Sequence, residues 1–133
     1  RMWRAYYPHA TVIGIDINTM PPIEGCTLLR MDATSPRVLE HLPAELHVVI
    51  DDGSHRTLVQ QPTFHLLWPR LVPGGHYVME DLHTSWWPMY HNAEHRTFDW
   101  LRHRFPDAPH WSRTADLSDS VTMIIRKHLL HGS

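Results

Sequence analysis

The most informative stretch of this sequence is Leu46-His47-Val48-Val49-Ile50-Asp51-Asp52-Gly53-Ser54-His55. Its apolar, β-branched beginning predicts a fully buried strand of a parallel sheet over residues 46–52. Ligands of α/β folds bind in the crevice beyond the C-terminal ends of such strands. We therefore expect a functional site at Asp52, with His55 brought back over the strand end by the Gly-Ser turn. The alternative is that Asp52 and Ser54 only cap the next helix.

A second pair of carboxylates, Glu80 and Asp81, follows the strand predicted over residues 76–79. Neighbouring strands lie about 5 Å apart, so Asp52, Glu80 and Asp81 would repel one another unless a cation lay between them. Oxygen ligands suit Mg²⁺ or a similar hard divalent ion. An ion there could hold a substrate hydroxyl while His55 takes the proton. The alternative is that Glu80 and Asp81 cap separate loops.

The rest of the sequence predicts a single doubly wound α/β domain that covers residues 1–133. The other predicted elements are strands over 11–17 and 26–31, helices over 1–7, 36–42 (with Ser35 as N-cap) and 92–105, a helix after His55 that ends at 72–75, an antiparallel edge hairpin over 111–117 and 120–127, and a loose tail over 129–133. The first two strands are only about eight residues apart, which is short for a parallel crossover.

Two more acidic residues, Asp16 and Asp32, close these first two strands. In nucleotide-binding α/β folds, a carboxylate in the position of Asp16 accepts hydrogen bonds from ribose hydroxyls. The alternative is that Asp16 only forms a turn before Asn18.

The composition is that of an ordinary soluble globular protein, with 42% hydrophobic and 20% charged residues. The formal net charge of −2 favours neither nucleic acid nor a membrane surface as a partner. No apolar run approaches the roughly 18 residues of a membrane-spanning helix. The single cysteine, Cys26, excludes an internal disulfide and is typical of a reducing cytoplasm. The 13 histidines are scattered singly and lack the spacing of a zinc site.

Two longer motifs carry a family resemblance, Asp51-Asp52-Gly53-Ser54-His55 and Pro73-Gly74-Gly75-His76-Tyr77-Val78-Met79-Glu80-Asp81-Leu82-His83-Thr84-Ser85-Trp86-Trp87. Together they resemble the metal-dependent sugar O-methyltransferases of macrolide biosynthesis. The resemblance extends back to residues 2–3 and 14–17. It implies the class I S-adenosylmethionine-dependent methyltransferase fold, which has a mostly parallel, Rossmann-like doubly wound sheet and a C-terminal antiparallel hairpin.

The same resemblance implies a role for each matching residue. The three carboxylates at the two strand ends would bind Mg²⁺, and His55 would be the general base. Asp16 would bind the ribose of S-adenosylmethionine, and Asp32 would lie at its adenine. The implied reaction methylates a hydroxyl of a sugar or another polyhydroxylated small molecule.

An aromatic segment at residues 82–90 is expected to contact that acceptor. Trp86, Trp87 and Tyr90 lie in a predicted loop, where large aromatic side chains are more often a binding surface than core. Their faces would pack against the apolar faces of a sugar. The alternative is that Trp86 only fills space behind the neighbouring helix.

The sequence is also expected to be a partial domain, because the family's first strand and glycine-rich cofactor loop would lie before Arg1. That strand would separate the strands at 11–17 and 46–52, whose unpaired edges favour pairing with another chain as a homo-oligomer. Two other interpretations stay open. His55, His83 and a carboxylate could bind iron in a metal-dependent hydroxylase, or the chain could be a non-catalytic remnant of the fold.

Overall fold

The computed structural model describes residues 2–128, and the chain divides into two compact units, Arg1–Pro43 and Ala44–Ser133. Each unit contains one sheet of the described strands. Among the described residues, every helix is too short or too polar to cross a lipid bilayer. The predicted tail at 129–133 lies outside the described residues.

The first unit is built on two parallel strands. Helix α1 (Met2–Tyr6) precedes strand β1 (Val12–Asp16), which pairs in parallel with strand β2 (Cys26–Arg30) along its whole length. Residues 17–25 connect the two strands without a helical turn. The short connection is therefore compatible with parallel pairing here. The chain then passes through Asp32, which follows β2.

The predicted helix at 36–42 is shorter than expected and is a 3-10 helix, Pro36–Glu40. Ser35 precedes it in an extended conformation, as an N-cap should, but its side chain makes no capping hydrogen bond. Val38 of this helix is fully buried.

The second unit is a four-stranded mixed sheet with two helices. Its strands are β3 (Leu46–Asp51), β4 (Leu71–Met79), β5 (His110–Trp111) and β6 (Thr122–Arg126), and its helices are α2 (Thr57–Leu67) and α3 (Thr97–Arg104). The strand order is β3-β4-β6-β5, with β3 and β4 parallel and β6 antiparallel to both of its neighbours. Because β3 and β4 are parallel neighbours, their C-terminal ends lie side by side.

Strand β4 begins at Leu71 rather than at residue 76. The prediction that residues 72–75 form a loop ending the helix is therefore wrong, because this Pro-Gly-Gly segment lies inside the strand. The register between β3 and β4 shifts at this point, so β4 accommodates extra residues in an irregular bulge. A Cβ at Gly75 would lie 2.9 Å from the carbonyl oxygen of His47, and only glycine fits there.

Strand β3 is not fully buried, contrary to the prediction. Its residues are half-buried or exposed, and Val48 is 39% exposed. The reason is its position in the sheet, because β3 is an edge strand that pairs only with β4 among the described strands. An apolar strand with an unpaired edge is prone to pair with another chain.

The C-terminal elements differ in part from the prediction. The antiparallel pair is present at one edge of the sheet, with β5 outermost, but β5 has only two residues. Residues 112–121 form a loop, in which the Ser112 hydroxyl donates to the Asp119 carbonyl at 2.7 Å. Such side-chain bonds to the backbone replace the strand ladder. Helix α3 begins at Thr97 rather than at residue 92.

Phe64 lies at the centre of the core of the second unit and is 1% exposed. Its ring stacks on Trp68 with the centroids 4.9 Å apart, and lies 4.8 Å from Tyr77 and 5.4 Å from Trp100. These contacts join α2, β4 and α3. The core therefore fixes the strand that ends at Glu80 and Asp81 against the helix that follows His55.

Candidate functional site

Three side chains meet where β3 and β4 end. Ligand atoms of Asp52, His55 and Asp81 all lie within 4.8 Å of one another. Asp52 is exposed, whereas His55 and Asp81 are half-buried. Parallel pairing of the two strands explains why residues nearly 30 positions apart come together.

Asp81 lies between two imidazole rings. His55 Nε2 is 3.5 Å from Asp81 Oδ2, and His83 Nδ1 is 3.8 Å from Asp81 Oδ1. Both rings also carry a buried nitrogen, Nδ1 in each case, that has no hydrogen-bond partner within the described chain. Buried polar atoms are nearly always paired, so each of these nitrogens is free to bond a water molecule or another group.

The backbone is strained at two of the three clustered residues. His55 has φ +60° and Asp81 has φ +53°, in the left-handed region that few residues other than glycine adopt. Such conformations cost about 1–3 kcal/mol each and concentrate at functional sites. The left-handed turn at Asp81 redirects its side chain, which explains how Asp81 rather than Glu80 joins His55.

The buried hydroxyl of Thr84 ties the two site segments together. Its Oγ1 lies 3.1 Å from the carbonyl oxygen of His55 and 2.9 Å from that of Asp81. A backbone bond from the Glu80 amide to the Asp51 carbonyl, 2.9 Å long, adds a second tie. The two strained residues are thus fixed relative to each other. The sequence analysis assigned no role to Thr84, although this residue lies in the motif that carries the family resemblance.

None of the candidate site residues caps a neighbouring helix with its side chain. Arg56, not Asp52 or Ser54, occupies the N-cap position of α2, and no side-chain capping bond is made there. The amides of the first turn are bonded instead by the Tyr90 carbonyl at 3.0 Å and by Asn92 Oδ1 at 2.9 Å. Asp81 precedes the 3-10 helix Leu82–Trp86 but likewise makes no side-chain cap. The carboxylates therefore remain available to a ligand.

Glu80 lies near the cluster but does not supply one of the grouped atoms. The pKa of its carboxyl is raised, first by burial and then by the negative charges of Asp52 and Asp81, while His55 lowers it. The negative charges of Asp52 and Asp81 thus lie close enough to Glu80 to disfavour its ionised form. The structure brings Asp52 and Asp81 together with His55, and leaves Glu80 alongside.

Asp51 is a site residue to which the sequence assigned no role. Its Oδ2 accepts a hydrogen bond from the Tyr77 hydroxyl at 3.2 Å, and its Oδ1 accepts one from the Gly53 amide at 3.3 Å. Burial is the main reason why the pKa of this carboxyl is raised. Asp51 is the last residue of β3 and is half-buried, whereas Asp52 follows the strand and is exposed. Its place at the end of the apolar run was the signal that could have identified it.

The aromatic residues expected to contact an acceptor are fixed but accessible. Trp86 and Trp87 are 38% and 45% exposed, and Tyr90 is half-buried. Trp86 packs against Phe98 with the ring centroids 5.3 Å apart, and Trp87 lies 5.9 Å from Tyr90. Part of the segment is a 3-10 helix rather than a loop. The alternative for Trp86 is thus correct in part, because the ring packs on α3 and is still exposed.

Asp16 and Asp32 lie in the first unit, at or just after the ends of β1 and β2. Asp16 Oδ1 accepts the Asn18 amide at 2.7 Å, which is the turn contact of the alternative interpretation. Asp32 Oδ1 accepts both the amide and the hydroxyl of Thr34, at 2.9 and 2.7 Å, and these bonds lower the pKa of Asp32. Both carboxylates are exposed.

Several known proteins with similar sequences are named as O-methyltransferases. The chain is 39% identical over 98 residues to 8-demethyl-8-alpha-L-rhamnosyl tetracenomycin-C 2'-O-methyltransferase of Streptomyces olivaceus. The aligned region covers 70% of this chain and 26% of that protein. It is 38% identical over 93 residues to demethylmacrocin O-methyltransferase of Streptomyces fradiae, which covers 66% of this chain and 24% of that protein. The chain is homologous to part of these sugar O-methyltransferases. This confirms the resemblance found in the sequence.

A solved structure extends the comparison to nearly the whole chain. It is MycE methyltransferase from the mycinamycin biosynthetic pathway, in complex with Mg, SAH and mycinamycin VI. The match has a TM-score of 0.76 at 20% identity, and covers 99% of this chain and 40% of that chain. The expected class I methyltransferase fold is therefore confirmed. No family model matches the chain, and the chain spans about a quarter of the length of the curated relatives given above.

Proposed function

We propose that the chain is a partial catalytic domain, covering residues 1–133, of an S-adenosylmethionine- and Mg²⁺-dependent O-methyltransferase. The acceptor would be a hydroxyl of a sugar on a small molecule, as in the tailoring of antibiotics. The observation that carries this proposal is the grouping of Asp52, His55 and Asp81 at the ends of two parallel strands. The names of the relatives support the sugar acceptor.

The donor set fits a hard divalent cation. Asp52 and Asp81 offer carboxylate oxygens within 4.8 Å of each other, and both raise the pKa of Glu80 by repulsion. A cation removes that repulsion, and carboxylate oxygens suit Mg²⁺. Asp52 and Asp81 would hold the ion, with Glu80 as the third carboxylate. A bound Mg²⁺ would supply positive charge that lowers the pKa of the acceptor hydroxyl.

His55 is the proposed general base. Its Nε2 faces the cluster, 3.5 Å from Asp81 Oδ2, so this nitrogen is placed to take the proton of the hydroxyl. The imidazolium that results is stabilised by the Asp81 carboxylate. Thr84 holds the backbone of both residues through their carbonyl oxygens. The chain therefore contributes mainly positioning and charge stabilisation to the reaction.

S-adenosylmethionine would supply the methyl group, which leaves its sulfonium as the new carbon–oxygen bond forms. Asp16 would bind its ribose and Asp32 would lie at its adenine, because both end neighbouring parallel strands in the part of the fold that holds the nucleotide in similar α/β proteins. Trp86, Trp87 and Tyr90 would contact the acceptor through their exposed faces.

We also propose a cytoplasmic location and a homo-oligomeric assembly. The free thiol of Cys26 and the biosynthetic role of the relatives support a cytoplasmic location. The unpaired edge of β3 supports a homo-oligomer as the assembled form. Nucleic acid and membranes are not among the proposed partners.

The deciding experiment is a methyl-transfer assay on the purified chain. It is incubated with S-adenosylmethionine, Mg²⁺ and methyl α-L-rhamnopyranoside, and the mass of the product is measured by mass spectrometry. We expect one added methyl group, loss of the product with EDTA, and recovery with excess Mg²⁺. An added oxygen that requires iron would instead establish the hydroxylase alternative. A folded chain that binds no S-adenosylmethionine by calorimetry would favour the non-catalytic remnant.

A further inference from the structure

The proposed reaction gives no role to Asp51, the last residue of β3. Its half-buried carboxylate contacts two groups from different parts of the second unit. Oδ2 accepts a hydrogen bond from the Tyr77 hydroxyl at 3.2 Å, and Oδ1 accepts one from the Gly53 amide at 3.3 Å. One side chain therefore joins the core of the sheet to the turn that follows β3.

Tyr77 is a rigid anchor for this carboxylate. It lies inside β4, is fully buried, and has its ring 4.8 Å from that of Phe64. The strand register places Tyr77 opposite Val49, two residues before Asp51. Residues two apart in a strand face the same side, so Asp51 and Tyr77 meet as a diagonal pair. The core thus determines where Asp51 Oδ2 lies.

The bond to Gly53 closes a turn at the end of β3. Asp51 accepts the amide of the residue two positions later, which is the pattern of an Asx turn. A Cβ at Gly53 would lie 3.3 Å from the same Oδ1, so glycine leaves the chain room to close over the carboxylate. Asp52 is the residue enclosed by this turn.

The Asp52 side chain depends on this backbone for its position. It is exposed, and within residues 2–128 no hydrogen bond or ion pair holds its carboxylate. On the far side of the turn, the Thr84 hydroxyl lies 3.1 Å from the carbonyl oxygen of His55. On the near side, the Asp51 carboxylate is the side chain that fixes the turn.

We propose that Asp51 is a positioning residue for the metal site, and that the Tyr77 hydroxyl holds it in place from the core. Its two hydrogen bonds fix the turn at Gly53, and the turn keeps the Asp52 carboxylate within 4.8 Å of Asp81. Partners that orient metal ligands in this way typically contribute 10–100-fold to metal affinity. This inference rests on the proposed function, since it concerns the carboxylates that would bind Mg²⁺.

Tyr77→Phe is the first test, because it removes the hydroxyl and keeps the ring in the core. Binding of Mg²⁺ to the metal-free chain is measured by isothermal titration calorimetry. We expect Kd for Mg²⁺ to rise about tenfold. Ile125→Val is the matched control, since it removes one methylene group opposite Tyr77 in the sheet and keeps the hydroxyl. Its Kd for Mg²⁺ should equal that of the wild type.

Two variants of Asp51 separate its hydrogen bonds from its charge. Asparagine keeps an acceptor for the Gly53 amide and a polar partner for Tyr77, whereas alanine removes both contacts. Asp51→Asn should therefore keep most of the Mg²⁺ affinity, and Asp51→Ala should raise Kd tenfold or more. Equal losses in both variants, with a normal Kd in Tyr77→Phe, would show that Asp51 acts through its charge and would overturn the positioning role.

The methyl-transfer assay adds a readout that a general loss of stability would not move. In Tyr77→Phe, the Mg²⁺ concentration for half-maximal rate should rise about tenfold, while kcat at saturating Mg²⁺ returns to the wild-type value. Circular dichroism verifies that each variant is folded. If Asp51→Ala does not fold, Tyr77→Phe decides alone. An unchanged Kd for Mg²⁺ in folded Tyr77→Phe would overturn the inference.

Failure of the proposed function gives a different pattern. If the wild-type chain binds Mg²⁺ and Tyr77→Phe weakens this binding, but no methyl group is transferred, the enzyme proposal fails and the positioning role stands. If methyl transfer requires Mg²⁺ but Kd is the same in every variant, the enzyme proposal stands and Asp51 does not position the site. A wild-type chain that binds no Mg²⁺ would overturn both.

Discussion

Replacing Asp52 by asparagine should make the metal-free protein more stable. Asp52 and Asp81 have oxygens within 4.8 Å of each other. Two unit charges at that distance repel by about 0.9 kcal/mol at the dielectric constant of water and by about 3.5 kcal/mol at an effective value of 20. Asp52 is exposed, so we expect the lower limit, about 1 kcal/mol. In EDTA, Asp52→Asn should therefore raise Tm by about 3–5 °C.

In Mg²⁺, the wild type should instead be more stable than Asp52→Asn. An ion at 100 times its Kd stabilises the folded wild type by about 2.7 kcal/mol, and the variant has lost one of the carboxylates that would hold it. In thermal melts followed by circular dichroism, the variant should have a higher Tm than the wild type in EDTA. In excess Mg²⁺, it should have a lower Tm than the wild type. Asp107→Asn, at an exposed carboxylate beyond α3, is the matched control and should change neither value.

One result would refute the reasoning. If Asp52→Asn lowers Tm in EDTA and keeps the full Mg²⁺-induced rise, Asp52 is a structural residue and the ion is held elsewhere. Calorimetric titration of Mg²⁺ into both proteins gives an independent measure, because the proposal requires a weaker Kd in the variant.

Four further outcomes are expected. His55→Ala should lower kcat about 10²–10⁴-fold with little change in Mg²⁺ or cofactor affinity. If this variant keeps the wild-type kcat, another group accepts the proton, and His83 is the next candidate. Trp87→Ala should raise KM for the acceptor more than for S-adenosylmethionine, whereas equal effects would exclude a contact with the acceptor. Phe64→Ala should cost about 3–5 kcal/mol in urea unfolding, since its ring is 1% exposed; a loss below 1 kcal/mol would contradict the central role of this ring. Light scattering should detect dimers or larger species, because β3 has an unpaired edge, and a monodisperse monomer would contradict this.

The location of the site could be predicted because it depends on two simple patterns. A run of β-branched residues that ends in acids is typical of the C-terminal end of a parallel strand, and two such strands end side by side if they are neighbours in the sheet. Asp52, His55 and Asp81 follow from this. The exact grouping could not be predicted, since it depends on the left-handed conformations of His55 and Asp81 and on the hydroxyl of Thr84, which are tertiary features.

The wrong predictions about the fold also arise from tertiary contacts. Residues 72–75 carry the strongest local stop signal, yet pairing with β3 draws them into a strand through a bulge. Asn92 is a plausible helix start by composition, but its side chain is used to bond an amide of α2, and α3 begins later. The burial of β3 depends on neighbours that no local pattern describes. Propensity is a weak guide wherever distant segments compete for the same backbone groups.

The position of Thr84 has a consequence for how ligands affect one another. Its hydroxyl contacts the carbonyls of His55 and Asp81, and it belongs to the same short 3-10 helix as His83 and Trp86. A ligand that shifts this helix would therefore act on both strained turns. If the proposed acceptor and metal ion both bind, their affinities would be coupled through this hydroxyl, and each ligand would change the affinity of the other by the same factor.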